Sequence, residues 1–317
     1  VKIVILERNS VGADVSVDAI SEFGEVTAYT DTTAETVAER ITDADIVIAN
    51  KMPLNESTLS GAGNVKLICE FATGYDNIDI DYCKKRGIAV CNVSGYSTEA
   101  VVQHTFALFF YLSENLPYYD EYVKSGAYAN QAMFTHYDRH FTELSGKTWG
   151  IAGMGSIGSR VAEVATAFGA NVIHYSTSGS KSDKYEQVDF DELLSRSDVL
   201  SLHCPLNDKT KYLINSDALS KMKKSAILIN VARGKVVNNA DLAEALKKGT
   251  IAAAGLDVIE QEPISKDNPL MEIQDSSRLL ITPHMAWAST EARNRCVSEC
   301  AENIRSYMKG ESRNRIV

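Results

Sequence analysis

Gly153-Met154-Gly155-Ser156-Ile157-Gly158 decides the fold, and it lies in the middle of the chain instead of near its start. A short apolar strand, Thr148-Trp149-Gly150-Ile151-Ala152, leads into it. A helix from about Ser159 to Phe168 leaves it, and a second strand follows, Asn171-Val172-Ile173-His174-Tyr175. A strand–turn–helix–strand unit carrying G-x-G-x-x-G presents a dinucleotide pyrophosphate to a helix N-terminus. In that role Gly153 permits the tight turn, Gly155 lets the backbone approach the phosphates, and Gly158 lets helix and strand pack closely. Outside a strand–helix frame the same glycines would mark only a turn.

The central position means that the chain completes another unit first. Strands near 2–6, 26–29, 45–50, 67–71 and 89–93 alternate with helical patterns near 17–23, 33–41, 55–61 and 79–86. Such alternation implies a mostly parallel, doubly wound sheet whose ligands sit beyond the C-terminal strand ends. Two α/β lobes with a cleft between them are therefore expected. An apolar helix, Thr98 to Ser113, carries the chain to the second lobe. Tyr118, Tyr119, Tyr122, Tyr128, Phe134, Tyr137 and Phe141 then crowd an irregular arm over 117–141. Aromatic surface of that extent is costly to leave in water, so a subunit interface is preferred over packing on the arm's own chain. The nucleotide lobe continues through strands at 199–203, 226–231, 253–258 and 279–282. A final helix, Ser289 to Lys309, stops at Gly310 and is expected to fold back onto the first lobe.

A chain of 317 residues suffices for two domains, and 44% hydrophobic with 23% charged residues is ordinary for a globular protein. The formal charge of −10 argues against nucleic acid or an anionic membrane as the principal partner. Anionic ligands must then be met by local positive groups. The most apolar stretch, Ala100 to Leu112, is too short to span a bilayer, and Lys2–Leu6 reads as a strand with no secretory signal. Six cysteines show no metal-type spacing. Cys296 and Cys300 share a helical stripe with Val297, Ala301, Ile304 and Met308, which reads as core. A reducing cytoplasm and no metal site are the expectation.

Three residues with chemistry sit just past strand ends on the cofactor side. Arg233 follows Ile229-Asn230-Val231-Ala232, Glu262 follows Leu256-Asp257-Val258-Ile259-Glu260-Gln261, and His284 follows Ile281-Thr282-Pro283. A guanidinium can clamp a carboxylate through two parallel hydrogen bonds. A histidine can exchange a proton with a carbonyl or alcohol oxygen, and a neighbouring glutamate would stabilise the imidazolium and orient its ring. Binder, proton donor and orienter are what nicotinamide reduction of a 2-oxo acid requires of the protein, because the cofactor supplies only hydride. Taken singly, Arg233 could be a surface cap, Glu262 a solvated loop carboxylate and His284 structural. His203, before Cys204-Pro205, suits a cofactor contact as well as it suits catalysis.

Val231-Ala232-Arg233-Gly234, Gly255-Leu256-Asp257-Val258 with Glu262-Pro263, and Pro283-His284 resemble the signatures of the D-isomer-specific 2-hydroxyacid dehydrogenases. The glycine run, His203-Cys204-Pro205-Leu206 and Ala72-Thr73-Gly74-Tyr75-Asp76-Asn77-Ile78-Asp79 agree, so the resemblance spans essentially the whole chain. It implies a Rossmann nucleotide-binding domain, 99–284 with a dimerisation helix and arm, inserted in a flavodoxin-like substrate domain, 1–98 and 285–317. It implies that Arg233 binds the substrate carboxylate with the backbone at Ala72, Thr73 and Gly74, that His284 is the acid/base and that Glu262 is its partner. Ser156, Ile157, Cys204, Pro205, Thr210, Val231, Ala232 and Asp257 would surround the dinucleotide, with Asp257 near the nicotinamide. The assembly implied is a homodimer.

One departure concerns the cofactor. NAD-type members carry an acidic residue at the end of the second strand, where this chain has Ser176, followed by Thr177-Ser178-Gly179-Ser180-Lys181. No carboxylate would repel a 2′-phosphate, and hydroxyls with Lys181 could accept one, although no arginine is present. NADPH is therefore favoured over NADH. Pro283-His284-Met285-Ala286-Trp287-Ala288, Asn50-Lys51-Met52-Pro53-Leu54 and Gly95-Tyr96-Ser97-Thr98-Glu99 look most like hydroxypyruvate/glyoxylate reductases, also called glycerate dehydrogenases. Lys51 and Trp287 would then help select the substrate tail. D-lactate dehydrogenase is the nearest alternative. A dinucleotide-sensing corepressor, which binds a protein partner without turnover, is the alternative of a different class.

Overall fold

The computed structural model describes residues 1–179 and 184–317. It falls into two compact units, Val1–Ser97 with Trp287–Val317, and Thr98–Ala286. The first opens as β1 (Lys2–Ile5), α1 (Asp18–Ser21), β2 (Glu25–Ala28), α2 (Val37–Arg40), β3 (Ile46–Ala49), α3 (Glu56–Leu59), β4 (Leu67–Glu70), α4 (Ile80–Arg86) and β5 (Ala89–Cys91). Its strands pair in parallel in the order β2-β1-β3-β4-β5. β3 and β4 are buried at every position, as strands covered on both faces must be.

The helices α1 to α3 are single turns, shorter than the apolar spacing predicts. Local hydroxyl and amide side chains account for much of this. Thr36 donates its hydroxyl to the Thr33 carbonyl and accepts the Thr33 amide, closing a turn where a helix was expected to begin. Asn55 caps α3 by accepting the Ser57 amide, so the helix starts only at Glu56. α4 is longer, held between its Asp79 cap and the left-handed Gly87.

The second unit begins with α5 (Thr98–Ser113), α6 (Leu116–Lys124), β6 (Thr148–Ala152), α7 (Ser156–Ala167), β7 (Asn171–Tyr175) and β8 (Glu186–Gln187). It continues through α8 (Phe190–Arg196), β9 (Val199–Leu202), α9 (Ser216–Lys221), β10 (Ile227–Asn230), α10 (Asn239–Lys248), β11 (Ala253–Leu256) and β12 (Leu279–Ile281). Among the described residues its sheet is seven-stranded and parallel, β12-β11-β10-β9-β6-β7-β8. The order reverses between β6 and β9, so the loops after these two strands flank the point where a doubly wound sheet takes its ligand. α5 buries Val101, Val102, Thr105, Phe106, Leu108, Phe109 and Leu112. Phe106 and Phe109 bring their rings to 4.8 and 5.1 Å from that of Trp149, the second residue of β6.

Two segments depart from the sequence reading. The helix after the glycine run starts at Ser156, because Gly155 is its N-cap and Gly158 lies inside its first turn. The aromatic arm is more ordered than its irregular pattern suggests. α6 places Tyr118 and Tyr122 on one face, and His136 folds back against both. Its ring stacks 3.7 Å from that of Tyr122, and its Nε2 lies 2.7 Å from the Tyr118 hydroxyl. Met133, Phe134, Tyr137 and Phe141 stay exposed, Phe134 at 83%.

The chain then returns to the first unit as α11 (Thr290–Met308), which packs on β4 and α1. Cys69, Cys91, Cys296 and Cys300 are buried free thiols within this unit. Beside them lies a less comfortable group, the fully buried carboxyl of Glu70 at the end of β4. One oxygen accepts a 3.4 Å hydrogen bond from the Asn77 amide, while the other is buried with no partner among the described residues. Burial pushes this carboxyl well above its ordinary value of 4.5. A raised folded-state value means that stability is fully present below about pH 4.5 and is lost as the pH rises. Glu70→Gln keeps the shape and removes the ionisation. Its thermal midpoint should exceed that of the parent at pH 7, with the gap closing below pH 4.5. A variant less stable than the parent at pH 7 would mean that an ionised Glu70 is supported in place.

Candidate active site

His284 lies just beyond β12, and its Nδ1 sits 2.6 Å from Oε2 of Glu262. The other carboxylate oxygen accepts the Ile259 amide at 3.2 Å, which fixes the carboxylate plane. Both side chains are partly exposed, 27% for His284 and 36% for Glu262. With Nδ1 held by Glu262, Nε2 is the ring nitrogen suited to exchange a proton with a ligand. The backbone of His284 is left-handed, φ 53°, a conformation that costs free energy outside glycine and persists only where the surroundings impose it.

Asp257 imposes it. Its carbonyl accepts the His284 amide at 2.8 Å. Its carboxylate, 2% exposed as a residue, accepts the Thr282 hydroxyl at 2.6 Å and the amides of Met285 and Ala286 at 2.9 and 2.8 Å. A buried carboxylate is tolerable only when its lone pairs are used in this way. The Asp257 carboxylate thus braces the segment on both sides of His284. These amides also place Met285 and Ala286 with the second unit, two residues past the division at 284 that the sequence suggests.

Arg233 follows β10, on a loop that Asn230 staples. The Asn230 side chain accepts the Ala232 amide and donates to the Arg233 carbonyl, both at 3.0 Å. The next residue must be glycine, because a Cβ on Gly234 would collide with the carbonyl of Ile259. The Arg233 loop therefore rests directly on the loop whose Ile259 amide orients Glu262. Glu260 ties that second loop down further, accepting the Tyr212 hydroxyl at 3.1 Å and the Asn239 amide at 2.5 Å. Arg233, Glu262 and His284, separate in sequence, belong to one braced set of strand-end loops.

The glycine run fits a pyrophosphate. A Cβ on Gly153, whose φ is +98°, would lie 2.7 Å from the Cys204 amide nitrogen, so the loops after β6 and β9 touch there. A Cβ on Gly158 would strike the Gly153 carbonyl, whereas one on Gly155 would meet no protein atom within 4 Å. Ser156 is exposed and Ile157 half-buried at the first turn of α7. That turn has neither a side-chain cap nor an acidic residue, so its N–H groups and dipole are available to an anion. Ser176 and Ser178 follow β7 with their hydroxyls 3.5 Å apart, and Thr177 lies between them. Lys181 lies outside the described residues.

The remaining predicted cofactor residues divide. Pro205 is exposed and Ala232 half-buried, and Val231 is mostly buried at the end of β10. The Cys204 thiol is buried, which pushes it up to about 11, so it is no thiolate nucleophile. Thr210 is turned inward: its hydroxyl donates to the Pro205 carbonyl at 2.6 Å and accepts the Asn207 amide at 2.8 Å. It shapes the 205–210 loop from behind. Burial drives the His203 imidazole down to about 3, and Nε2 lies 3.0 Å from the Ser201 hydroxyl. A ring held neutral in that way is unsuited to acid/base work at neutral pH.

In the first unit, Lys51 is exposed on a loop whose amides at Asn50, Lys51 and Met52 all donate to one oxygen of Glu7, at 2.8, 2.8 and 3.1 Å. The Ala72 carbonyl accepts the Val93 amide, the Thr73 carbonyl accepts the Asn92 side chain, and the Thr73 hydroxyl donates to the Val93 carbonyl. Among the described residues, none accepts a hydrogen bond from the amides of Ala72, Thr73 and Gly74. Three consecutive amides with such freedom suit an anion. Trp287 meets Tyr96 edge-on, ring centroids 6.3 Å apart.

Sequence reasoning missed Asn230, Thr282 and Glu260, although each adjoins a residue it named. It also missed His104 on α5, whose Nε2 lies 2.9 Å from the Thr282 hydroxyl. No helix among the described residues is long and apolar enough to cross a membrane, and no group of His, Cys, Asp and Glu is placed to hold a metal ion.

Comparison with known proteins bears on the whole chain. Residues 106–286 match the family model for the D-isomer specific 2-hydroxyacid dehydrogenase, NAD binding domain. A glycerate dehydrogenase of Methylorubrum extorquens is 37% identical over 320 residues, covering 99% of this chain and 98% of the relative. A hydroxypyruvate reductase of Blautia hydrogenotrophica is 35% identical over 316 residues, covering 98% and 97%. Among solved structures, an acyclic imino acid reductase in complex with NADPH and D-arginine superposes with a TM-score of 0.90 at 32% identity, over all of both chains. The nucleotide-type sheet, the strand-end loops and these matches agree, and the chain belongs to the family of NAD(P)-dependent D-2-hydroxyacid dehydrogenases.

Proposed function

We propose that the protein reduces small 2-oxo acids, hydroxypyruvate and glyoxylate foremost, to the D-2-hydroxy acid, with NADPH used at least as well as NADH. The observation that carries the chemistry is the His284–Glu262 pair at 2.6 Å, beside the loop of Arg233. The relatives named for glycerate and hydroxypyruvate support the substrate class.

The first turn of α7 with Gly155 would hold the pyrophosphate, and Ser176 with its neighbours the adenosine ribose. The nicotinamide, when bound, supplies the hydride. Protonated His284 gives its proton to the substrate oxygen, and Glu262 stabilises the imidazolium while keeping Nδ1 engaged. Arg233 binds the substrate carboxylate by a charge-assisted pair of hydrogen bonds. Polar Lys51 suits a hydroxymethyl or hydrogen tail, while Trp287 disfavours long branched ones. The absence of a carboxylate at Ser176 supports a 2′-phosphate.

His284→Asn should lower kcat by roughly 10²–10⁴-fold with cofactor affinity kept. Arg233→Ala should chiefly raise KM, since a charge-assisted hydrogen bond contributes about 1.5–3 kcal/mol. Steady-state kinetics with hydroxypyruvate would check both, and wild-type turnover by His284→Asn would remove the acid/base assignment.

A panel of 2-oxo acids assayed with both cofactors tests specificity. Hydroxypyruvate and glyoxylate should exceed pyruvate in kcat/KM, and pyruvate should exceed branched acids. Discrimination should be modest, because a methylene is worth only about 1–3 kcal/mol. Ser176→Asp should shift preference towards NADH by repelling the 2′-phosphate. A parent enzyme strongly preferring NADH, or a branched acid at the top of the panel, would refute the corresponding part.

The exposed Met133, Phe134, Tyr137 and Phe141 support a homodimer built on the arm and α5. Light scattering should return about twice the chain mass of 34.7 kDa at micromolar concentration. A monomer mass would count against it.

A further inference from the structure

We propose that His104 is a positioning residue for His284, acting through Thr282 and Asp257. The inference rests on the reading of His284 as the acid/base. His104 lies midway along α5, its side chain 17% exposed. Its Nε2 is 2.9 Å from the Thr282 hydroxyl oxygen and 3.5 Å from Oδ1 of Asp257.

The polarity of this chain of contacts follows from chemistry alone. An ionised carboxylate only accepts, so at 2.6 Å the Thr282 hydroxyl spends its proton on Asp257. The Thr282 oxygen can then only accept from His104, which places a proton on the His104 Nε2. Burial lowers the His104 value below the ordinary 6.5, against the pull of Asp257. The ring is therefore a neutral donor with a defined tautomer at neutral pH. Hydrogen bonds run in one direction, from His104 to Thr282 to Asp257.

Thr282 is two residues before His284, and its carbonyl accepts the His284 amide at 3.0 Å while the Asp257 carbonyl accepts it at 2.8 Å. The His104 donor therefore fixes the rotamer of the one side chain that bonds the Asp257 carboxylate from the N-terminal side of His284. The Met285 and Ala286 amides hold the same carboxylate from the C-terminal side. Loss of the His104 donor leaves the Thr282 hydroxyl held by the Asp257 carboxylate alone, which loosens the N-terminal anchor of the left-handed turn at His284. α5 also packs against β10 and β11, the strands that launch the Arg233 and Asp257 loops. The same helix thus supports two chemically active loops by packing and a third by a hydrogen bond.

The test compares His104→Ala with His104→Gln, whose side-chain amide can reach the Nε2 position and donate. His104→Ala should lower kcat for hydroxypyruvate by about tenfold, because small displacements of a reacting group cost rate steeply. KM should change less than about threefold, since a lost positioning contact acts on the chemical step more than on uniform binding. The dissociation constant for the reduced cofactor, read by fluorescence, should be unchanged. His104→Gln should recover most of the lost kcat. His284→Asn run in parallel separates the two assignments. If it keeps turnover, the acid/base reading fails. If it is inactive while His104→Ala matches the parent, the positioning role of His104 fails. An equal loss in His104→Ala and His104→Gln, with a matching fall in thermal midpoint, would also overturn it and leave only a packing role.

Discussion

The buried carboxylate of Asp257 is the constraint on which the chemistry depends. A loop leaving a parallel strand has no ladder to hold it, so its amides must find other acceptors. Asp257 accepts four hydrogen bonds at once: its carbonyl takes the His284 amide, and its carboxylate takes the Met285 and Ala286 amides and the Thr282 hydroxyl. Each of these bonds also relieves the cost of keeping the charge out of water. The left-handed backbone that results turns the imidazole to Glu262. An aspartate that reads in sequence as a cofactor neighbour thus works, through its side chain, on the protein's own backbone.

Glycines set the spacing of the loops that the carboxylates then fasten. Gly153 and Gly234 are both points where a Cβ would press into the backbone of another strand-end loop, Cys204 in the first case and Ile259 in the second. Loops approach so closely because adjacent parallel strands end side by side, and their C-terminal turns share little room. Gly155 differs, having no protein atom near its Cβ position. Two glycines let the protein meet itself, and the third leaves open space at its Cβ position, as the proposed pyrophosphate site requires.

The parallel alternation, the two lobes and the strand ends carrying Arg233, Glu262 and His284 were legible because they rest on local patterns. Apolar strand cores, turn glycines and prolines after strands fall within a few residues of one another. The family resemblance reached further, since ordered motifs survive where contacts cannot be read. Contacts that cross the chain were illegible. His104 and Thr282 are 178 positions apart and are joined by one hydrogen bond, with no periodicity to announce it. The α6 helix was hidden for a different reason: Tyr118, Tyr119 and Tyr122 look irregular until His136 supplies the surface they stack on. Thr36 and Asn55 shortened helices that apolar spacing alone had extended.

A formal charge of −10 poses a problem for a protein whose proposed ligands are anions. The solution visible in the structure is local and made largely of backbone. α4, α8, α9 and α10 each begin with a side-chain cap and carry an acidic residue in the first turn, which neutralises their N-termini. α7 has neither, so its partial positive charge remains directed at the glycine run. The amides of Ala72, Thr73 and Gly74 offer the same kind of group in the first unit. Amide dipoles attract an anion at short range without altering the field that surrounds the molecule. A guanidinium is then needed only where two parallel hydrogen bonds must fix the plane of a carboxylate, the role proposed for Arg233.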